Sequence, residues 1–166
     1  MQTVVPKEED NLNLSVEERL TAMGLELPEL IPPVAAYVPA VRTGNLVFTA
    51  GQLPFVKGLL LYTGKVGADL TAEEARRAAR LCALNCLTAV KSVTGSLDRI
   101  VRIVKVTGFV NGAPGFTGQP AVLNGASEIF VQIFGAAGEH ARSAVGVAEL
   151  PLNAPVEVEI IVEVEA

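Results

Sequence analysis

Residues 155–165 have the sequence PVEVEIIVEVE, which alternates valine or isoleucine with glutamate over most of its length. Successive side chains of a β-strand point to opposite faces of a sheet. The stretch therefore predicts a strand whose even-numbered residues, beginning with Val156, face a core. Its odd-numbered residues, four glutamates and Ile161, face the other way. That second face is available for water, for basic partners or for an interface with an aqueous pocket.

The preceding segments predict two long amphipathic helices between further strands. One helix begins with a capping box at Thr71 and ends at Gly95, and the other carries apolar residues over 122–133 and ends at Gly135. Strands are expected at residues 36–41, 46–50, 59–62, 100–110 and 142–148, and a short helix with a capping box at Ser15 is expected at 16–23. The order ββ(β)αβαββ predicts an α+β fold, a mixed sheet with the two main helices packed on one face.

Composition indicates a single domain that associates with copies of itself. The chain has 166 residues, of which 50% are apolar and only 19% are charged. A domain this apolar has surface that a monomer would expose, and large exposed apolar patches usually mark contacts. We therefore expect a homo-oligomer. No run approaches the roughly 18 apolar residues that a bilayer span needs, and residues 1–13 lack a signal-peptide core, so we expect a cytoplasmic protein without a membrane partner.

Charge and cysteine content disfavour two other classes of function. The net charge is −5, whereas nucleic-acid binding depends on clustered lysine and arginine, so we expect no nucleic-acid partner. Cys82 and Cys86 lie within the first long helix and are expected to be free, buried thiols. No Cys/His cluster has the spacing of a metal site, and the glycine-rich segment 111–118 lacks the Gly-Lys-Ser/Thr ending of a phosphate loop. We expect no metal.

Three polar residues are candidates for chemistry. Arg142 begins a predicted strand after two glycines, and its planar fork of donors matches a carboxylate. The alternatives are a surface arginine or an ion pair with a glutamate of the last strand. Glu157 would be a general base if its surroundings tune it, or one of several solvated glutamates. His140 is the only histidine, and a packing or surface role is the alternative to catalysis.

Several segments, taken in order, resemble the YjgF/RidA family. They are AYV at 36–38, FTAGQLP at 48–54, residues 104–110, LNG at 123–125, ARS at 141–143 and residues 150–159. The resemblance covers residues 35–164. It indicates a YjgF/RidA-like domain at 35–166, preceded by an N-terminal extension at 1–34 that holds the short helix and a proline-rich connector.

This resemblance implies a chorismate-mutase-like fold and a homotrimer with clefts between neighbouring subunits. Many members hydrolyse reactive enamines and imines, such as 2-aminoacrylate, to 2-keto acids and ammonia. By the same resemblance, Arg142 would clamp the carboxylate of a small metabolite and Glu157 would position or activate the attacking water. Tyr37 would line the cleft, the backbone at Gly51 would contact the ligand, and Asn124 would shape the site. No cofactor is expected, because an imine is already electrophilic.

Two positions depart from the family pattern. Ala50 stands where deaminase-active members usually have serine, and Ala144, which we also expect at the binding site, stands where they often have cysteine. Each change removes a polar group, which costs on the order of 1–3 kcal/mol in a buried site. Three functions therefore stay open: imine or enamine hydrolysis, binding or sensing of small 2-keto or amino acids without catalysis, and endoribonuclease activity, which the acidic charge and single histidine disfavour. The extension suggests a sub-branch with a different ligand.

Overall fold

The computed structural model describes residues 13–33 and 35–166 and shows the expected mixed sheet. The helices are α1 (Val16–Ala22), α2 (Ala72–Thr94) and α3 (Gln119–Phe134), and the strands are β1 (Ala40–Thr43), β2 (Leu46–Thr49), β3 (Phe55–Val56), β4 (Leu59–Leu60), β5 (Ile100–Asn111), β6 (Ala141–Val147) and β7 (Val156–Val164). Five strands form one sheet in the order β1-β2-β7-β5-β6, with β3 and β4 in a separate hairpin. Within the five-stranded sheet, β5 and β6 pair in parallel and the other neighbouring strands pair antiparallel.

The predicted alternation along β7 is confirmed. Val156, Val158 and the other even-numbered residues of β7 are buried, whereas the odd-numbered residues are partly exposed. In β5, Val106 pairs with Ile160 and Val110 with Val156, so the same side of both strands is buried under α2 and α3. We call this the helix side of the sheet and the opposite side the open side.

Helix α2 begins and ends where its capping residues predict, and α3 ends at Gly135 as predicted. Thr71 Oγ1 accepts the backbone N–H of Glu74, and the Glu74 carboxylate accepts the N–H of Thr71. Gly95 has φ 79°, a left-handed conformation that glycine adopts without steric cost, and its N–H donates to Lys91 O. Among the described helices, none combines the length and the apolar composition that a membrane span requires.

Residues 13–33 are anchored to the helices. The predicted capping box of α1 is present, with the Glu18 N–H donating to Ser15 Oγ. The Val16 N–H donates to Asp98 Oδ1 at 2.7 Å, and Arg19 Nη1 donates to the carbonyl of Ile133 at 3.0 Å. Further along, Thr88 Oγ1 of α2 donates to the carbonyl of Pro28 at 2.9 Å. The proline-rich connector therefore follows α2 towards β1.

Two strand predictions were wrong in detail. The strand expected at 59–62 does not join the main sheet: Leu59–Leu60 pairs with Phe55–Val56 across Lys57 and Gly58, whose positive φ values of 49° and 75° suit a two-residue hairpin turn. The strand expected at 36–41 begins only at Ala40, directly after a proline, which cannot donate a ladder hydrogen bond.

Candidate functional site

Three of the predicted site residues line one cavity. Tyr37, Gly51 and Glu157 surround a space of about 440 Å³ between the connector, the segment after β2, helix α2 and the start of β7. After β2 the chain leaves the sheet. In this segment Gln52 still pairs with β7, through an isolated bridge to Val158. The opening between sheet and connector is therefore produced by the end of the β2–β7 ladder.

The Glu157 carboxylate packs directly against Gly51. A Cβ placed on residue 51 would lie 1.9 Å from Glu157 Oε1, so only glycine allows this approach. Glu157 accepts no hydrogen bond from any described residue, and burial away from water raises its pKa, with a further rise from the carboxylate of Glu159. A half-buried carboxylate with a raised pKa and free oxygens is suited to accept and return a proton.

The backbone at Gly51 also has a free donor. The N–H groups of Ala50 and Gln52 donate to the carbonyls of Pro39 and Val158, both at 2.8 Å, whereas the Gly51 N–H bonds to no described residue. The carbonyl of Ala50 in turn accepts Gln52 Nε2 at 3.2 Å. The Gly51 N–H is therefore available to a ligand in the cavity beside Glu157.

Arg142 and Asn124 form a second group. Arg142 pairs with Val106 in the β5–β6 ladder, which puts its side chain on the helix side at the edge of the sheet. Its Nη1 donates to Asn124 Oδ1 at 2.9 Å and to Ser127 Oγ at 3.2 Å, both on α3. Ala144 lies on the same side of β6 and is partly buried against the core.

Ser127 and His140 extend this group into a short hydrogen-bonded chain. His140 Nδ1 lies 2.6 Å from the carbonyl of Gly138, which can only accept, so Nδ1 carries the proton. His140 Nε2 then accepts the hydroxyl proton of Ser127 at 2.9 Å, which leaves the Ser127 lone pairs for Arg142. Burial lowers the pKa of His140, the Gly138 bond opposes that change, and the Arg142 charge adds to it. This chain of hydrogen bonds therefore favours the neutral form of the His140 imidazole.

Sequence reasoning did not identify Ser127. Its position three residues after Asn124 places both on one face of α3, which is the one local feature that indicated a shared partner. From the sequence, both a catalytic role and a packing or surface role remained possible for His140. The structure places its ring edge-on to Phe130, with 6.0 Å between centroids, as a support for Ser127.

The two groups do not meet within one chain. Arg142 lies on the helix side of β6, whereas Glu157 pairs with Phe109 on the open side of β7, and β5 lies between these strands. The sequence alternative of an ion pair between Arg142 and a glutamate of the last strand is wrong, because no carboxylate of the described residues lies within ion-pair distance of it.

The remaining candidates have structural roles. Cys82 and Cys86 are free and fully buried, as predicted, and burial raises the pKa of both thiols. The segment 111–118 folds around the ring of Phe116, which contacts the glycines at 112 and 118. Among residues 13–33 and 35–166, no cluster of three or more His, Cys, Asp or Glu side chains could hold a metal ion.

Comparisons with known proteins identify relatives over most of the chain. Protein TCP17 of Trypanosoma cruzi is 44% identical over 151 residues, covering 89% of this chain and 93% of that protein. The 2-iminobutanoate/2-iminopropanoate deaminase of Escherichia coli K12 is 34% identical over 129 residues, covering 77% of this chain and 87% of the enzyme.

Solved structures show the same architecture at two levels of similarity. The protein Atu1372 of Agrobacterium tumefaciens, described as of unknown function, superposes with a TM-score of 0.84 at 45% identity, over 90% of this chain and 92% of that one. Escherichia coli TdcF with bound serine gives 0.60 at 25% identity, over 85% and 99%. A family model described as "YjgF/chorismate_mutase-like, putative endoribonuclease" matches residues 17–164. With nearly the whole chain matched in sequence and fold, the protein belongs to the YjgF/chorismate-mutase-like family.

Proposed function

We propose that the protein hydrolyses small 2-imino and 2-enamino carboxylates to 2-keto acids and ammonia, in clefts formed between neighbouring subunits of a homotrimer. The observation that carries this proposal is the half-buried Glu157 carboxylate, which has no hydrogen-bond partner among the described residues and adjoins a cavity beside the unpaired Gly51 N–H. The names of deaminase relatives and a neighbour with bound serine support a small metabolite as ligand.

Arg142 is suited to hold the carboxylate of that metabolite. Its Nη1 is occupied by Asn124 and Ser127, while Nε and Nη2 have no partner among the described residues. The Nε and Nη2 protons form a planar fork that matches two carboxylate oxygens. Asn124 and Ser127 fix one nitrogen of the guanidinium, so that little side-chain entropy remains to be lost when an acid binds.

A subunit-shared cleft follows from the separation of the two groups. A small acid cannot contact Arg142 and Glu157 of the same chain when the sheet lies between their side chains, so the guanidinium of one subunit must face the cavity of the next. The open side of the sheet exposes Val41, Phe48 and Val145, each at least 40% accessible, which supports its use as the contact surface.

The chemistry needs only these groups and water. Water attacks C2 of the imine while Glu157 takes its proton, and the C=N π electrons move to nitrogen. Glu157 then returns the proton to nitrogen, which gives an amino group on C2. Glu157 next takes the hydroxyl proton and passes it to that nitrogen, so that the C–N bond breaks with ammonia as the leaving group while the C2 carbonyl forms. One imine and one water give one 2-keto acid and one ammonia. The raised pKa of Glu157 lies closer to neutral pH, and a group whose pKa is near the working pH both accepts and donates a proton efficiently.

The decisive experiment mixes two inactive variants. We expect Arg142→Ala and Glu157→Gln each to abolish the acceleration of imine decay, measured with 2-aminoacrylate generated in situ and ammonia as readout. When the two variants are co-expressed, a cyclic trimer with shared sites regains both groups in about a quarter of its clefts. Recovery of roughly that share of wild-type activity supports the proposal.

Two outcomes contradict it. Absence of recovery would mean that both residues act within one chain, and absence of any acceleration by the wild-type protein would remove the hydrolase function. Arg77→Ala and Glu163→Gln are matched controls, because Arg77 is exposed on α2 and Glu163 lies on β7 away from the cavity. Both controls are expected to keep full activity.

Binding without catalysis is the second candidate, favoured by the apolar side chains of Ala50 and Ala144. Neither residue offers a hydroxyl or thiol to a reacting imine. Under this alternative, titration calorimetry detects 2-keto acids that need Arg142, while imine decay stays at the rate in buffer. Loss of binding in Arg142→Ala with no catalysis in the wild type would select this function over hydrolysis.

A further inference from the structure

The cavity beside Glu157 is apolar on the side away from the carboxylate. Leu30 and Ile31 of the connector, Leu53 and Phe55 after β2, and Leu152 before β7 line it. We call these five residues the apolar wall. Leu30 and Ile31 come from the N-terminal extension, which the hydrogen bond from Thr88 to Pro28 holds against α2. The extension therefore helps to shape the cavity.

The donors of the polar side chains of helix α2 in this cavity are already in use. Asn85 Nδ2 donates to the carbonyls of Leu53, Phe55 and Leu81, and Thr88 Oγ1 donates to Pro28. They fasten the backbone of the apolar wall and have no donor left for a ligand. The space between these residues consequently suits a hydrocarbon group.

Leu152 of the apolar wall has a strained backbone conformation. Its φ is 58°, a left-handed conformation that leucine rarely adopts, and its side chain is 68% exposed. The strained turn is fixed by its neighbour Asn153, whose side-chain oxygen accepts Asn111 Nδ2 at 3.2 Å and whose carbonyl accepts the Gly64 N–H at 2.8 Å. Strain combined with an exposed apolar side chain at a cavity indicates a binding role.

We propose that the apolar wall receives the side chain of the substrate and selects 2-imino acids, and their 2-keto products, that carry branched aliphatic or aromatic groups over those that carry a methyl group. This inference rests on the proposed function, because it assumes that Arg142 takes the carboxylate and Glu157 faces C2. The third substituent of C2 then points away from both charges, towards Leu30, Ile31 and Leu152.

The size of the cavity agrees with such ligands. At about 440 Å³ it lies within the range of roughly 300–1,000 Å³ that is usual for small-molecule sites. A methyl side chain would leave most of it filled with water against apolar residues. Each buried methylene strengthens binding about fourfold, so an isobutyl group, with three more carbons than methyl, should be preferred over methyl by up to roughly 60-fold.

The test compares acids that differ only in side chain. Titration calorimetry of the full-length protein with pyruvate, 2-oxobutanoate, 4-methyl-2-oxopentanoate and phenylpyruvate gives the order of dissociation constants. An amino-acid oxidase acting on alanine, leucine or phenylalanine supplies the corresponding imines, whose decay gives relative kcat/KM values. We expect the two large acids to bind at least about tenfold more tightly than pyruvate and their imines to be hydrolysed preferentially.

Leu152→Asn isolates the contribution of the apolar wall without endangering the fold, because asparagine tolerates a left-handed φ better than leucine does. We expect it to reduce the preference for the large acids over pyruvate about three- to tenfold. Leu59→Asn is the matched control, since Leu59 is 66% exposed on β4 and does not line the cavity. It should leave the preference unchanged.

The outcomes separate this inference from the proposed function. If pyruvate binds as tightly as the large acids, or if Leu152→Asn weakens all acids equally, the apolar wall does not select side chains, whether or not imines are hydrolysed. If no imine decays faster than in buffer while the large acids still bind more tightly, hydrolysis fails and the selectivity of the site stands. If none of the acids binds and no imine decays faster than in buffer, both are overturned.

Discussion

If the proposed function is correct, Gly51→Ala should abolish imine hydrolysis while leaving the protein folded. The added Cβ would lie 1.9 Å from Glu157 Oε1 and 2.8 Å from Glu157 Cδ, whereas real Cβ contacts are not shorter than 3.0 Å. The carboxylate must therefore move by at least about 1 Å, and a displacement of that size at a reacting group costs roughly 100-fold in rate. The backbone at Gly51 is not left-handed, so alanine introduces no conformational strain there.

The assay is hydrolysis of an in situ imine, with the thermal unfolding midpoint as a control for folding. We expect kcat to fall about 100-fold and the midpoint to change by only a few degrees. Gly146→Ala is the matched control, because its Cβ would meet only the flexible end of Gln119, at 2.9 Å. A Gly51→Ala variant that keeps wild-type kcat would refute the role of this carboxylate, since it would show that the position of Glu157 does not matter.

Further predictions concern the support of the site and of the fold. Ser127→Ala removes a hydrogen bond from the Arg142 guanidinium, so KM should rise about three- to tenfold with a smaller change in kcat, measured by steady-state kinetics. Glu157→Gln should raise the unfolding midpoint at neutral pH and lose this effect below about pH 4, as scans across pH would show. Gly125→Ala places a Cβ 2.0 Å from a carbonyl oxygen of α2, so denaturant titration should show a loss of about 3 kcal/mol or more.

The sign of the Glu157 prediction follows from the direction of its pKa. Burial raises that pKa above the value in the unfolded chain, so the folded state binds more protons over the interval between the two values. Stability must then fall as the pH rises through that interval. Glutamine carries no charge and avoids the loss, while at lower pH both side chains are neutral and the difference disappears.

Local sequence patterns predicted the elements that depend on local rules. The alternation of residues 156–164, the capping boxes at Ser15 and Thr71 and the stop at Gly95 all appear in the structure. The third strand was placed wrongly in the main sheet. A two-residue turn at Lys57 and Gly58 pairs it instead with the segment just before it. Pairing of β3 with β4 satisfies its hydrogen bonds locally and leaves it outside the main sheet.

The candidate site was harder to predict because it depends on register and on distant side chains. By resemblance, Arg142 and Asn124 were expected in one site with Tyr37, Gly51 and Glu157, and a hydrogen bond at 2.9 Å joins the first two. The support from Ser127 and His140 could not be predicted, because it requires α3 and the turn before β6 to be packed side by side. Whether Arg142 faces the helix side or the open side is decided by its pairing with Val106, and a shift of one residue would reverse it.

The register of β6 therefore links subunit assembly to the proposed chemistry. An arginine on the open side could reach the glutamate strand of its own sheet, and a monomer would then contain every group that the reaction needs. On the helix side, the guanidinium is held at the edge strand β6 by α3, with two donor nitrogens unoccupied among the described residues. Glu157, by contrast, lines a cavity whose described lining residues include no lysine or arginine. Under the proposed function, each half would take its missing partner from a second copy of the chain, and the exposed apolar residues of the sheet provide a physical reason for two copies to associate.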